Sequence, residues 1–300
     1  MSRFPLAAAV LSVIMAHSAC ADGAQEGSST GPGEPSFQRH QPELFSTFGA
    51  QPLAWADFDS DGDLDLFVGF GGEQPNRLYR NDRGTFVDVA SEVGLADVPE
   101  TRAAAWGDYD GDGDLDLYVG FRLVPQTPNR LYRNDDRGTR FVDVAQEVGL
   151  ELSGNTRQPA FVDYDGDGDV DLFVAMREQP NRLFRNDEGT FSDVTEIAGI
   201  GDARRTVGVA WFDMADDGDL DLFVANQNGD EDAVYRNSGD GRFEEVAAAL
   251  GMNQPGRSEE QGSVGVAVAD YDNDGDLDLF VASYGPDVLW QNQGDGTFID

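Results

Sequence analysis

The residues best equipped for chemistry are aspartates, and they recur in one spacing. Asp57-Phe-Asp-Ser-Asp-Gly-Asp-Leu-Asp65 places carboxylates at loop positions 1, 3, 5, 7 and 9, with glycine at position 6. Alternate spacing lets a tight loop turn its odd side chains toward one centre, and the glycine permits the sharp turn. Hard oxygen ligands in this number suit Ca²⁺; magnesium would take fewer carboxylates and keep more water. The same loop returns at Asp108, Asp110, Asp112, Asp114 and Asp116, and at Asp163, Asp165, Asp167, Asp169 and Asp171. It returns again at Asp213, Asp217, Asp219 and Asp221, and at Asp270, Asp272, Asp274, Asp276 and Asp278. In the first loop Asp57, Asp59, Asp61 and Asp65 are the expected side-chain ligands, and Asp63 offers its backbone carbonyl.

The loop begins like an EF-hand but does not end like one. Position 12, where that motif needs a bidentate glutamate, is Val68, Val119, Val174, Val224 and Val281 in the five copies. Position 9 is therefore expected to supply the closing carboxylate. A solvated acidic loop is the plain alternative, but 25 of the 57 acidic residues fall within these 45 positions. Unneutralised, such clusters repel strongly at close range. Up to five ions are expected. The fourth site should be the weakest, because Ala215 stands at position 3 and Asp216 at position 4, unless water or a register change replaces the missing ligand.

The first aspartates of successive loops lie 51, 55, 50 and 57 residues apart. Around each loop the chain reads as four short strands. Strand A is the apolar run before the loop and strand B the run after it, Leu64–Val68 in the first copy. Strand C is Asn76-Arg-Leu-Tyr-Arg-Asn81, and strand D is Thr85-Phe-Val-Asp-Val89. Turns such as Asp82-Arg83-Gly84 join C to D. Four antiparallel strands every ~50 residues make a propeller blade. The expectation is all-β, with blades at about 50–91, 102–146, 157–197, 205–249 and 264–300 within a propeller spanning 43–300. A closed five-bladed ring and a part of a larger ring both remain open, and a solenoid of stacked hairpins is the alternative. Residues 37–49 would add an edge strand or represent a degenerate blade.

The recurring Asp-x-Asp-x-Asp-Gly-x-x-Asp after an apolar strand resembles the FG-GAP repeat of integrin α-subunits and the related bacterial VCBS repeats. Asn-Arg-Leu-Tyr-Arg-Asn, followed by Gly-Thr-Phe-Val-Asp-Val and Glu-Val-Gly-Leu95, is similar to bacterial and animal proteins akin to cartilage acidic protein. The resemblance covers residues ~50–300. It implies a propeller, commonly seven-bladed in that family, with calcium bracing the A–B loops and a role in adhesion or recognition. The UnbV-type C-terminal domain that often follows is not among these repeats.

Residues 1–21 read as an export signal: Arg3, the apolar run Leu6–Met15, then small residues. Ala19-Cys20-Ala21 fits an ordinary cleavage site. His17-Ser18-Ala19-Cys20 resembles a lipoprotein box with Cys20 as the lipidated residue, although His17 stands where leucine is usual. Cys20 is the only cysteine, and residues 22–42 would form a flexible tether, which favours the lipoprotein reading. The expected location is extracytoplasmic, either anchored by lipid or released.

A formal charge of −37 argues against nucleic acid and against a membrane contact other than a lipid anchor. Every basic residue is arginine, and downstream of the signal the single histidine is His40. Schiff-base chemistry, histidine triads and zinc sites are therefore disfavoured. The expected role is a recognition or adhesion module for a protein or glycan, not an enzyme. A calcium-assisted polysaccharide lyase is the alternative, in which Arg77, Arg80, Arg130, Arg133, Arg182 and Arg185 would meet acidic sugars. Pairing of those arginines with aspartates of neighbouring strands is the other reading. Because A–B and C–D connections share one face, the more variable B–C and D–A connections opposite are the expected partner surface.

Overall fold

The computed structural model describes residues 38–72, 74–96, 100–122 and 127–300. The export signal, Cys20 and most of the tether lie outside them. Five four-stranded antiparallel sheets account for nearly all regular structure. The first blade is β1 (Ala50–Ala56), β2 (Asp65–Phe70), β3 (Arg77–Asp82) and β4 (Thr85–Asp88), followed by helix α1 (Ala90–Val93). The second is β5 (Thr101–Gly107), β6 (Asp116–Phe121), β7 (Arg130–Asp135) and β8 (Arg140–Asp143). The third is β9 (Thr156–Val162), β10 (Asp171–Met176), β11 (Arg182–Asp187) and β12 (Thr190–Asp193), followed by α2 (Thr195–Ala198). The fourth is β13 (Thr206–Phe212), β14 (Asp221–Asn226), β15 (Ala233–Asn237) and β16 (Phe243–Glu245), followed by α3 (Ala247–Leu250). The fifth is β17 (Gly262–Ala269), β18 (Asp278–Tyr284), β19 (Val288–Asn292) and β20 (Phe298–Ile299).

In the first four blades strand B is buried on both faces, which is why it reads as an unbroken apolar run such as Leu-Phe-Val. Its partners set the hairpin geometry. Asp82 pairs with Thr85 across a two-residue turn in which Arg83 (φ 54°) and Gly84 (φ 85°) are both left-handed. That is the turn whose twist matches the strands it joins.

The Glu-Val-Gly-Leu motif has a structural job that strand periodicity did not reveal. It forms a single helical turn closed by left-handed Gly94, and Leu95 is driven into the seam with the next blade. A Cβ on Gly94 would stand 3.2 Å from the Phe141 carbonyl of that next blade, so glycine is required twice over. Leu150, Ile200 and Met252 fill the same place after the later blades, all fully buried.

The blades pack side by side, with first strands β1, β5, β9, β13 and β17 adjacent in series along the inner rim. One face of each blade meets the next through an apolar centre. Phe58, Phe67 and Leu78 of the first blade pack on Trp106, Leu117 and Phe141 of the second. A polar latch sits at each end of the seam. On one side Asn76 accepts a hydrogen bond from the Thr101 hydroxyl (3.0 Å), Asn129 donates to Thr156 (2.8 Å) and Asn181 to Thr206 (3.1 Å). The fourth seam substitutes Asp232, which accepts from Ser263 at 2.7 Å. On the other side the last asparagine of strand C donates to a backbone carbonyl of the preceding blade. Asn134 reaches Phe58 (2.9 Å), Asn186 reaches Tyr109 (2.7 Å), Asn237 reaches Tyr164 (2.8 Å) and Asn292 reaches Met214 (3.1 Å).

The five blades do not close on themselves. Positions that are at most 5% exposed in the first four blades open in the fifth: Tyr271 is 50%, Phe280 43% and Leu289 37% exposed. The opposite face, on the first blade, leaves Leu53 and Trp55 exposed. Part of it is capped by residues 41–45, which form no strand. Gln41 makes both backbone-like hydrogen bonds to Phe86 at the free edge of β4 (2.7 and 3.0 Å), and Phe45 packs edge-on against Tyr79. The segment acts as a lid on the sheet edge and face, the device by which unpaired edges are kept from other chains.

The latch asparagines give a direct test. Asn186→Ala removes an inter-blade hydrogen bond and strands a buried carbonyl, whereas Asn81 occupies the same position and donates to Leu64 of its own blade. Asn186→Ala should lower unfolding free energy by about 1–3 kcal/mol more than Asn81→Ala. Denaturant titration of both variants measures this; equal losses would show that the latch does not hold the seam.

Candidate metal centres

Each acidic loop joins strand A to strand B, and its backbone is specified residue by residue. Position 4 is left-handed in all five copies: Ser60, Gly111, Gly166, Asp216 and Asn273 have φ of 58°, 71°, 72°, 53° and 61°. Asp216 is thus a turn residue in register with the other loops, and no register change restores the ligand missing at Ala215. Position 6 is glycine at φ 92–103° throughout.

The position 1 carboxylate curls over the loop. Asp57 accepts from the Asp61 and Gly62 amides at 3.0 Å, and Asp270 accepts from Asp274 and Gly275 in the same way. Position 5 accepts from the amide two residues on, as Asp61 does from Asp63 at 2.9 Å. Position 7 turns its side chain away. Asp63 accepts from the Arg83 amide (2.9 Å), Asp114 from Arg137 (3.0 Å) and Asp169 from Glu188 (2.8 Å). These bonds tie the loop to the C–D turn of its own blade, and they place both connections on one face.

Position 9 is the buried member. Asp65, Asp116, Asp171, Asp221 and Asp278 are at most 2% exposed. Each spends one oxygen on the amide of position 2 and the other on the amide of the strand C latch asparagine, at 2.7–3.1 Å. One hydrogen bond per oxygen leaves further lone pairs on each. Burial, followed by weaker repulsion from neighbouring aspartates, outweighs those two bonds. It raises the carboxyl to about 7 at Asp65, about 8 at Asp116, about 7 at Asp171 and about 6 at Asp221. Position 3 is raised in the same direction at Asp59, Asp110 and Asp165, with burial the leading cause and the adjacent carboxylates next.

Carboxylate oxygens converge in four of the five loops. Those of Asp57, Asp59 and Asp61 lie within 4.8 Å of one another, as do those of Asp108, Asp110 and Asp116, of Asp163, Asp165 and Asp171, and of Asp270, Asp272 and Asp278. Among the described residues the fourth loop forms no such group. The donor set fits a hard divalent cation on a second count as well. Asp59 Oδ1 and Asp108 Oδ1 are buried without a hydrogen-bond partner, a costly state for a carboxylate oxygen unless a cation meets it.

The strand C arginines serve the scaffold. Arg77 pairs with Asp88 (2.6 Å), Arg130 with Asp143 (3.6 Å) and Arg182 with Asp193 (3.9 Å) across the C–D hairpin. Arg80, Arg133 and Arg185 pair with Asp82, Asp135 and Asp187 along their own strand, at 3.1, 2.9 and 2.7 Å. What sequence spacing could not reveal is the latch asparagine. It repeats at the end of strand C, but its partner lies one blade, some 75 residues, away.

Among the described residues, no helix is long and apolar enough to cross a membrane. Cartilage acidic protein 1 of Xenopus tropicalis is 34% identical over 119 residues, 37% of this chain and 18% of that protein. The Homo sapiens protein of the same name is 29% identical over 150 residues, 46% of this chain and 22% of its own length. The chain thus matches about a fifth of the length of these curated relatives. An Agrocybe aegerita lectin that recognises non-reducing terminal N-acetylglucosamine superposes with a TM-score of 0.49 at 19% identity, over 83% of this chain and 64% of the lectin. The V. cholerae biofilm matrix protein Bap1 gives 0.45 at 19% identity, over 78% of this chain and 34% of that one. The model of the FG-GAP-like repeat matches residues 57–119, 123–174, 163–224, 213–281 and 270–300, and with its acidic loop in every blade the chain belongs to the FG-GAP-like repeat family.

Proposed function

We propose that this chain is an exported calcium-braced recognition module, in which ions in the A–B loops hold the blades and the opposite face meets a protein or glycan. The observation that carries the calcium reading is the convergence of three carboxylates in four separate loops, two of them with an orphaned buried oxygen. Positions 1, 3, 5 and 9 would supply side-chain oxygens and position 7 its carbonyl, a hard set suited to Ca²⁺. Calcium would supply the charge that lets buried position 9 stay ionised. The chain works by binding, not catalysis: its recurrent arginines are paired with aspartates and its clustered carboxylates belong to the loops.

The geometry of the two faces supports the placement of the partner. A–B and C–D connections are joined to each other through position 7, so they share a side. On the other side, B–C and D–A connections meet one another, as where the Gly229 amide donates to Gln261 and Asn129 donates to Leu152. They differ in length and chemistry between blades, as recognition of one partner requires. With a ligand identified by glycan array, substitutions on each face at saturating calcium test this. Loss of binding only from changes on the calcium-loop face would invert the assignment.

Calcium should stabilise the fold in a pH-dependent way. A buried carboxyl whose folded value lies above its unfolded one binds more protons when folded, so metal-free stability falls as pH rises from about 4 to about 8. Calcium binds the ionised form, so its stabilising effect should grow across that window. Thermal midpoints with calcium and with chelator should lie close together at pH 5 and far apart at pH 8. A gap that does not change with pH, or no gap at all, would overturn the brace.

The loops should also be unequal. Asp165→Ala removes the position 3 ligand of the third loop and makes it resemble the fourth, while Ala215→Asp supplies what the fourth lacks. Titration calorimetry should show weaker binding in the first variant and an additional or tighter site in the second, in a range of about 10⁻⁴–10⁻³ M for modules of this kind. No change in either would count against the ligand set.

A further inference from the structure

Four arginines break the repeat. Arg102 and Arg157 are the second residues of β5 and β9, and Arg122 and Arg177 directly follow β6 and β10. The positions equivalent to the first two are Gln51, Val207 and Val264 in the other blades, and those equivalent to the second two are Gly71, Gln227 and Tyr284. The pair of arginines therefore exists only in the second and third blades, which are neighbours. Strands that recur in every blade build scaffold; a feature confined to one place is what a ligand site requires.

These residues gather on the inner rim, on the face that carries the B–C and D–A connections. First strands β5 and β9 lie side by side there. The backbone amides of Arg122 and Arg177 close the open ends of their A–B strand pairs by donating to Glu100 and Asn155 (3.0 and 2.9 Å). Charge is only half compensated. Arg122 donates to Glu100 at 3.0 Å, and Arg177 lies 3.7 Å from exposed Glu178 while donating to the Asn228 side chain at 3.0 Å. Arg102 donates to the neutral Gln51 amide oxygen. Among the described residues no carboxylate forms an ion pair with Arg102 or Arg157.

Two further observations point to something that docks. Arg157 Nε is a buried donor without a hydrogen-bond partner, and Asn155 Oδ1 is a buried acceptor without one. Burial, then Arg102, Arg177 and Arg122, pulls the Arg157 guanidinium down to about 10, and burial likewise lowers Arg102. A half-compensated knot of cations inside a chain of charge −37 is the mirror image of the acidic loops, and the same physics asks for a counter-charge.

We infer that the inner rim of the second and third blades binds an acidic sugar, its carboxylate or sulfate on Arg102 and Arg157 and a hydroxyl on Asn155. A planar guanidinium matches an oxyanion with paired donors. The orphaned amide oxygen needs a donor, which a sugar hydroxyl supplies and a bare anion does not. The surrounding charge of −37 repels a long polyanion, so a terminal or isolated acidic residue is the fitting form. This rests on the assignment of that face as the ligand side and deepens it.

The test uses calcium-saturated full-length protein at constant ionic strength, titrated with glucuronate, glucose, sodium sulfate and a glutamyl dipeptide by calorimetry or ligand-observed NMR. Glucuronate should bind most tightly, sulfate more weakly, and glucose not measurably. Arg157→Gln and Arg102→Gln should each weaken glucuronate by about tenfold or more, the loss of one charge-assisted hydrogen bond, while Arg140→Gln, at an exposed position of β8, leaves it unchanged. Relief of repulsion should leave the thermal midpoint of Arg157→Gln no lower than that of the parent, which separates lost binding from lost folding. Glucuronate binding that survives both substitutions, or is absent, overturns the site. Sulfate or the dipeptide binding as tightly as glucuronate overturns the sugar. If glucuronate fails while calcium still raises the thermal midpoint, the site is wrong and the calcium brace stands.

Discussion

A buried aspartate at the foot of the second strand of each blade is the constraint on which the remaining structure depends. Asp65, Asp116, Asp171, Asp221 and Asp278 each hold the loop before them through the amide of position 2, and strand C beside them through the amide of the latch asparagine. That asparagine in turn accepts from the C–D turn and donates across the seam to the preceding blade, as Asn186 accepts from the Gly189 amide and donates to the Tyr109 carbonyl. One carboxylate thus ties loop, blade and seam together. Its cost is desolvation of a negative charge, visible in the raised carboxyl values of four of the five. Two amide bonds offset only part of that cost. A cation in the loop would offset more, which makes the acidic loops part of the fold and not ornaments on its surface.

The seams show why a repeated blade yields one arrangement and not a sliding stack. Their centres are apolar and non-directional: Phe, Trp, Leu and Val faces that would tolerate small shifts. Their two ends are polar and directional, with Asn–Thr contacts on one side and Asn–carbonyl contacts on the other. Both latches are satisfied only in one register. The fourth seam keeps the logic with changed residues, Asp232 accepting from Ser263 and from half-buried Arg257 at 2.8 Å. In the fifth blade the same apolar positions stand open at Tyr271, Phe280 and Leu289, so their burial elsewhere belongs to the neighbour and not to the blade itself.

Most of the fold was legible because the repeat supplied five copies of every signal. Strand order, the glycine of the sharp loop turn and the odd-numbered carboxylates are local, and local patterns survive in a linear sequence. Relations between blades are not local. Nothing in Asn186 reveals that its amide ends on Tyr109, and nothing in residues 41–45 reveals that Gln41 imitates a strand against Phe86. The fourth loop lies between these cases. Ala215 was readable as a missing ligand, but only the left-handed backbone of Asp216 shows that its carboxylate marks a turn.

Repetition also determines where function can be sought. A residue present in every blade answers to a demand present in every blade, and the strand C arginines answer to the aspartates beside them. Residues that depart from the repeat answer to something that occurs once. Arg102, Arg122, Arg157 and Arg177 depart at paired positions in adjoining blades, and Arg157 leaves a buried donor without an acceptor in a chain rich in carboxylates. Had those arginines served only stability, an aspartate at position 51 would have paired Arg102 at little cost, as aspartates do throughout strands C and D. Neutral Gln51 stands there instead, and the positive charge remains turned toward the rim.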